Sequence, residues 1–407
     1  MKILVAGQHF YPENFRINDL CFELVKRGHE VTVLTGLPNY PEGKVLKEYK
    51  WFRNRKQTIN GVKIIRCSLI GRGKSTLRMA LNYAWFFTFG SLKALFVKGK
   101  YDLVYVYQTS PITMAWPAIV LKKMKKIPLV IHCLDQWPIS VTTGPISKES
   151  KIYKILSKIS IWTYRQADVI TISSKSFQKY FENELRISSE EKGLIYYPSY
   201  AENTYQNMKF VDNKMFDIVF AGNVGPAQSC ETIVECAELL KEKQDIHFHI
   251  VGDGLSREAC EKSANEKGLK NITFHGMHKL EEMPKYYSLA DAFIITMVDN
   301  EVVNSTLPAK IQSYMLAGKP IFGAISGEVK EVVEEAECGK CTISGNAEEL
   351  AHLIEHYYQN ADLLKQWGEN GLKYYQKHFE KEKCISDLEK IFGDIIGKKK
   401  ESYAKTR

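Results

Sequence analysis

A lysine two residues after a proline is the first feature with chemical content. Leu307-Pro308-Ala309-Lys310 precedes an apolar run, residues 311–317, that ends at Gly318. Pro308 suits the first turn of a helix, with Ser305 or Thr306 placed to cap it. Lys310 would then stand at the positive end of the helix dipole. A diphosphate there would meet free backbone N–H groups, the dipole and an ammonium. The competing reading is a capped helix carrying a solvated lysine. A second possible phosphate cradle is Ala221-Gly222-Asn223-Val224-Gly225-Pro226-Ala227-Gln228, which follows a strand-like run and opens a helix. Its glycines let backbone approach a ligand closely. Glycine turns after strands are common, so this signal gains weight only in company. Cys338-x-x-Cys341 is the one close cysteine pair. A single such pair is weak evidence for zinc, and two reduced thiols near a strand is the better reading.

The elements that would position these groups alternate. Residues 2–6 read as a short buried strand. Ile17, Leu20, Cys21, Leu24 and Val25 repeat at helical spacing, Gly28 closes that helix, and residues 31–34 form the next strand. This is a βαβ unit with a parallel sheet. Strand-like runs recur at 103–107, 129–132 and 169–172. The pattern lapses into a polar stretch at 200–214, read as a linker. It resumes at 218–222, 247–251, 272–274, 292–295 and 320–324. We therefore expect two consecutive α/β domains, residues 1–205 and 206–407, with the final helix able to pack back on the first. Open α/β sheets bind ligands at the carboxyl ends of their strands, so two such edges facing across a cleft would hold a donor and an acceptor. The basic tail from Lys398 reads as a frayed end.

Charge is unevenly spread over the 407 residues. Residues 1–200 hold 31 Lys and Arg against 14 Asp and Glu, whereas the remainder holds 25 against 33. The block 51–100 has 11 basic residues and no acidic one. Such asymmetry points to an anionic partner for the first half, nucleic acid or membrane lipid. No signal peptide is evident, so a cytosolic protein with reduced thiols is expected.

At this point the chain resembles the family 4 glycosyltransferases, in the branch that builds bacterial capsule and O-antigen repeat units. The resemblance rests on Phe10-Tyr11-Pro12-Glu13-Asn14-Phe15-Arg16-Ile17-Asn18-Asp19, on the segment 26–41 with Gly28-His29-Glu30-Val31 and Leu37-Pro38-Asn39-Tyr40-Pro41, and on Asp135-Gln136-Trp137-Pro138. In the second half it rests on the segment 222–228, Val251-Gly252-Asp253-Gly254, the segment 307–310 and Tyr314-Met315-Leu316-Ala317-Gly318-Lys319-Pro320. It implies the GT-B fold, two Rossmann-like domains with parallel sheets, and a hexosyltransferase-type enzyme that retains anomeric configuration without a bound metal. It implies a nucleotide-diphosphate sugar donor, usually UDP-linked, on the second domain. Gly222, Asn223, Gly225, Gln228, Gly252, Asp253, Pro308 and Lys310 then match donor positions. Gly7, Arg16, His132 and Trp137 match the acceptor side. Many members carry two glutamates with seven residues between them where Ser305 and Ser313 stand here; Glu301 is near enough to take over a hydroxyl contact. The closest motifs belong to members that transfer N-acetylated deoxysugars such as N-acetylfucosamine.

Retaining transfer needs the leaving phosphate stabilised as charge develops, which Lys310 and the helix terminus could supply. It also needs a group to guide the acceptor proton. Asp135 and His132 are candidates by position, after the strand ending near Ile131. A lone carboxylate in such a place is often a helix cap. Trp137 and Pro138 would shape the acceptor pocket.

Residues 79–97 are rich in aromatic and aliphatic side chains, with Arg72, Lys74, Arg78, Lys93 and Lys98 flanking or interrupting them. A spanning helix needs about 20 predominantly apolar residues, and Asn82, Thr88, Gly90, Ser91 and Lys93 break this one. An interfacial helix fits better, with Trp85, Phe86 and Phe89 at headgroup depth and Arg78 and Lys93 towards anionic lipid. A core helix is the competing reading. Lys122, Lys123, Lys125 and Lys126, and Lys151, Lys154 and Lys158, add polybasic groups of the kind drawn to anionic leaflets. The resemblance implies a nucleotide sugar and a polyprenyl-diphosphate-linked saccharide as partners, and the basic half adds the inner face of the cell membrane, but no nucleic acid is expected. A nucleic-acid binder would space its aromatics as stacking platforms. A dinucleotide oxidoreductase would carry G-x-G-x-x-G after its first strand. An epimerase of the same fold, or a non-catalytic sugar-nucleotide-binding subunit, are the remaining alternatives.

Overall fold

The structure, a computed structural model, describes every residue except Lys74, Pro145, Glu202, Asn207, Asp212, Thr406 and Arg407. Lys74 of the cationic flank and Glu202 and Asp212 of the linker therefore lie outside the described residues. The chain divides into two compact units. One runs from Met1 to Tyr197 and includes the chain from Ile385 on; the other is Pro198–Cys384.

The first unit is built on an eight-stranded sheet: β1 (Lys2–Ala6), β2 (Glu30–Thr35), β3 (Lys56–Ile59), β4 (Val62–Arg66), β5 (Leu103–Gln108), β6 (Leu129–Cys133), β7 (Val169–Ile172) and β8 (Leu194–Tyr196). Its order is β3-β4-β2-β1-β5-β6-β7-β8. Only β3 runs antiparallel, paired with β4 so that Lys56 lies opposite Ile65. The second unit carries β9 (Phe216–Ala221), β10 (Ile246–Val251), β11 (Ile272–Gly276), β12 (Ala292–Thr296), β13 (Ile321–Ala324) and β14 (Gly339–Thr342), in the order β11-β10-β9-β12-β13-β14 and all parallel. The central strands are buried on both faces, which is why they read as unbroken apolar runs. Because the strands run together, the loops after β1 and β6 share one edge of the first sheet. Those after β9, β10 and β12 share one edge of the second.

The helix Arg16–Lys26 buries Ile17, Leu20, Cys21 and Leu24, and Gly28 follows it at φ 86. Thr76–Ala94 is a 19-residue helix capped by Ser75, whose hydroxyl accepts from the Arg78 amide. It buries Asn82, Phe86, Gly90 and Ala94, a stripe at four-residue spacing. Gly90 is required there, since a Cβ would lie 2.9 Å from the Pro117 ring. Phe86 is fully buried with Leu37, Leu69 and Met114. This corrects its assignment to a lipid-facing surface: the stripe that packs against the domain runs through position 86. Trp85 is half-buried and stacks on Phe89 at 4.6 Å, while Phe89, Leu77, Leu81 and Leu92 are exposed. Among the described residues no helix is long and apolar enough to cross a membrane.

The tail is a second correction. Lys398–Lys400 are not frayed but continue the helix Lys381–Lys405. That helix holds to the first unit through Glu389, which accepts from Arg27 Nη1 at 2.8 Å and pairs with His29 Nε2 at 2.6 Å, and through Phe392 against Tyr105.

Candidate functional site

In the second unit the loops after β9 and β10 interlock. The Gly222 amide donates to the Val251 carbonyl and the Val224 amide to that of Asp253, both at 2.9 Å. Gly222 and Gly252 adopt φ 142 and 149, which L side chains rarely take. A Cβ on Gly252 would fall 1.7 Å from the Gly222 carbonyl oxygen, and one on Gly254 would fall 2.4 Å from that of Val224. These glycines are therefore there for close backbone approach. Asn223 Nδ2 donates to Gln228 Oε1 at 3.0 Å, bracing the turn across Gly225. The exposed Asp253 closes its own turn by accepting from the Gly254 amide at 2.8 Å and lies 3.9 Å from Arg257.

Lys310 begins the helix Lys310–Ala317 and projects beneath this turn. A Cβ at Gly222 would stand 3.2 Å from its Nζ, which lies 4.0 Å from the Phe220 ring centroid. The Nζ is buried and has no hydrogen-bond partner among the described residues. Desolvation pushes its pKa down from 10.5 to about 8. A buried, unpartnered amine is costly unless a ligand completes it. The site thus has the chemistry of an anion acceptor: an ammonium, a glycine turn and a helix terminus.

The capping differs from the sequence expectation. Ser305 and Thr306 do not cap this helix. Their hydroxyls both donate to the Val302 carbonyl, at 2.9 and 2.8 Å, and so close the preceding short helix Glu301–Asn304. Ala309 occupies the N-cap position without a side-chain bond, leaving the helix terminus open. Pro308 supplies the carbonyl that accepts from the Ile311 amide at 3.1 Å. Glu301 is exposed in the first turn of the short helix, whose cap is Asn300.

Sequence reasoning missed Tyr314. Its hydroxyl accepts from the Ala221 amide at 2.9 Å and donates to the Ala221 carbonyl at 3.2 Å, while its ring stacks on Phe293 at 4.2 Å. It thereby fixes the end of β9 to the helix that carries Lys310. Position 314 could be read only as one more core aromatic, because the partner is backbone 93 residues away.

In the first unit the loop after β1 is organised by Glu13. This buried carboxylate accepts from the Asn39 and Tyr40 amides at 2.6 and 2.7 Å and pairs with His9 Nδ1 at 2.8 Å. Gly7 donates to the Leu34 carbonyl at 3.1 Å, and Arg16 opens the helix that follows the loop. After β6, Asp135 Oδ2 accepts a short bond from the Ser110 hydroxyl and one from Trp137 Nε1 at 3.3 Å. Trp137 Nε1 also reaches Ser110 Oγ at 2.9 Å. Burial raises the Asp135 carboxyl pKa, opposed by the bond from Ser110. The structure thus brings Asp135 and Trp137 into one network at the carboxyl edge.

His132 does not join them, a third correction. It is buried within the sheet, bonded through Nδ1 to Thr171 Oγ1 at 3.0 Å and packed on Tyr107 and Tyr197. Desolvation lowers its pKa to about 3, so it is a neutral core histidine. On a strand, alternation places residue 132 inside the layer, whereas Asp135 lies beyond the strand end.

Comparison with known proteins follows these units. Residues 14–191 match the family described as glycosyl transferase 4-like domain, and residues 202–374 match glycosyl transferases group 1. The chain is 25% identical over 342 residues to the putative colanic acid biosynthesis glycosyl transferase WcaI of Escherichia coli (strain K12), covering 78% of this chain and 82% of that protein. Among solved structures it resembles sucrose-phosphate synthase from Thermosynechococcus elongatus, with a TM-score of 0.76 at 14% identity over 98% of this chain and 100% of that one. It also resembles HepE of Anabaena in complex with UDP, with a TM-score of 0.69 at 16% identity over 97% and 100%. At such identities the structural likeness speaks for the fold, two Rossmann-like domains in the GT-B manner.

Proposed function

This chain is a glycosyltransferase of the GT-B architecture, and we propose that it retains anomeric configuration while moving a sugar from a nucleotide diphosphate to a lipid-linked saccharide in surface polysaccharide synthesis. One observation carries the donor half: the buried Lys310 Nζ beneath the Gly222 turn, which has no hydrogen-bond partner among the described residues. A diphosphate placed there completes the ammonium, and the same ammonium meets the negative charge that grows as the anomeric C–O bond breaks. The UDP in the HepE structure supports a uridine donor. The role in polysaccharide assembly is supported by the colanic acid relative.

On the first unit, Asp135 guides the acceptor hydroxyl's proton in this reading, with Trp137 forming the pocket wall, supported by their shared network with Ser110. Gly7 and Arg16 border the same edge. A lipid-linked acceptor calls for attachment to the membrane, and the basic first half fits an anionic leaflet. On the helix Thr76–Ala94 that surface is the exposed side with Leu77, Arg78, Leu81, Phe89 and Leu92, to which Lys93 adds charge.

The test is a donor screen read by mass spectrometry. Purified protein is given UDP-sugars with a polyprenyl-diphosphate-saccharide acceptor. Transfer with the new bond in the donor's anomeric configuration supports the reading. Binding of UDP-sugars without transfer or hydrolysis would make the protein a binding subunit, and a changed free sugar nucleotide would make it an epimerase.

A further inference from the structure

Trp51 and Phe52 are 85% and 84% exposed, although aromatic rings are ordinarily among the best-buried side chains. Both sit at positive φ, 52 and 65, as does Asn54 at 53. Bulky residues rarely adopt that region, and such strain persists only where surrounding structure enforces it. The enforcement is visible. Tyr49, just before the pair, is buried beneath the Arg66 guanidinium at 4.8 Å. Asn54 Nδ2 donates to the Glu48 carbonyl at 2.9 Å, and the Arg53 amide to that of Lys50 at 3.1 Å. The Arg55 guanidinium lies 5.4 Å from the Phe52 ring centroid and donates to the Cys67 carbonyl at 3.2 Å. The two rings are held out on a braced turn.

Their position and flanking charges point to what they meet. β3 is antiparallel, so Lys56, where it begins, lies beside the end of β4. The turn 50–55 therefore stands at the carboxyl edge of the first sheet, the edge that also carries the Gly7 loop and Asp135. Lys47, Lys50, Arg53, Arg55 and Lys56 flank the rings in sequence, with Arg55 over Phe52, against Glu48 as the single acid between residues 44 and 60. Two exposed aromatics flanked by cations match an anionic bilayer surface, with rings at the headgroup–acyl boundary and cations among the phosphates.

We propose that the 50–55 turn is a membrane-inserting wedge, Trp51 and Phe52 entering an anionic leaflet so that the acceptor-side edge of the first unit faces the lipid. The inference rests on the reading of the acceptor as lipid-linked, but it is tested without one. Full-length protein is floated with vesicles of phosphatidylglycerol and phosphatidylcholine, and with phosphatidylcholine alone. The parent binds the anionic vesicles and is released by salt. Trp51→Ser with Phe52→Ser lowers vesicle affinity on the order of tenfold or more, keeps the parent's melting midpoint, and keeps its turnover on a short water-soluble acceptor. Acyl chains labelled with bromine quench the parent's fluorescence, and Trp51→Phe loses part of that quenching. Parent-like vesicle binding by the double variant, or failure of the parent to bind anionic vesicles, would overturn the wedge. Absence of turnover on the soluble acceptor in the parent itself would instead count against the proposed saccharide acceptor, so the two failures are separable.

Discussion

The Lys310 ammonium and the Gly222 backbone share one small space: a Cβ at residue 222 would stand 3.2 Å from Nζ. Apart from the Phe220 ring, whose centroid lies 4.0 Å from it, the ammonium has no hydrogen-bond partner among the described residues. Lys310→Ala should lower turnover by roughly 10²–10³ through loss of one preorganised contact to developing charge. Lys310→Met, which keeps the stem and removes the uncompensated amine, should leave the empty protein as stable as the parent or more so. Steady-state rates and thermal melts of the two variants check both claims. Parent-like turnover in either removes Lys310 from the site.

A pH signature follows from the same burial. With its pKa at about 8 instead of 10.5, Lys310 is increasingly neutral above pH 8 in the empty site. A diphosphate stabilises the ammonium, so binding of UDP should take up a proton there, and affinity should fall as pH rises through about 8. The unfolded chain binds more protons than the folded one between about 8 and 10.5, so this group's contribution to stability rises with pH across that window. Calorimetry of UDP binding above pH 8, in buffers of different ionisation enthalpy, reads the proton uptake. Lys310→Met should abolish it.

Gly252→Ala should disrupt the second unit, because its Cβ would occupy the Gly222 carbonyl at 1.7 Å. We expect a loss above about 4 kcal/mol, in the range reserved for severe steric and backbone faults. Gly268 is the control: it has φ 65 but open space around it, so Gly268→Ala should cost only about 1–2 kcal/mol. Urea unfolding of the two variants measures the difference. Equal effects would mean that the interlocked turns give way easily.

The strands and the glycine turns were legible because their signals are local. Residues 3–6 and 218–221 are unbroken apolar runs followed by glycine, and 247–251 alternates two histidines with apolar residues before Gly252. The hairpin of β3 and β4 was not anticipated, since Lys56–Ile59 is short and opens with three polar residues in succession. The Gly222–Lys310 partnership was reachable through the Pro-x-Lys spacing, but the burial of the ammonium was not. Phe86 and Phe89 are three positions apart and equally aromatic. Which of them faces the core depends on the Gly90–Pro117 contact, a tertiary fact that hydrophobic spacing alone does not hold. Glu13 lay within a quoted motif, yet its role depends on two amides 26 and 27 residues away.

That carboxylate is a testable organiser of the first unit. Glu13→Ala leaves the Asn39 and Tyr40 amides without their acceptor. A buried unsatisfied donor costs about 1–3 kcal/mol, so the melting temperature should fall and amide exchange at residues 39 and 40 should accelerate. Binding of UDP to the second unit should be unchanged. Unaltered exchange at 39 and 40 would show that the loop is held by other contacts.

Asp135 separates chemistry from architecture most sharply. Asn at this position can still accept from Ser110 and Trp137, so Asp135→Asn should keep the parent's melting midpoint and its affinity for UDP. It cannot take a proton. If the carboxylate guides the acceptor proton, turnover should fall by roughly 10² or more. The parent's rate should also decline as pH falls through a carboxyl pKa that burial has raised above its ordinary value, and the Asn variant should lose that limb of the profile. Full activity with an unchanged pH profile would leave Asp135 as the brace for Trp137 and assign the proton to another group.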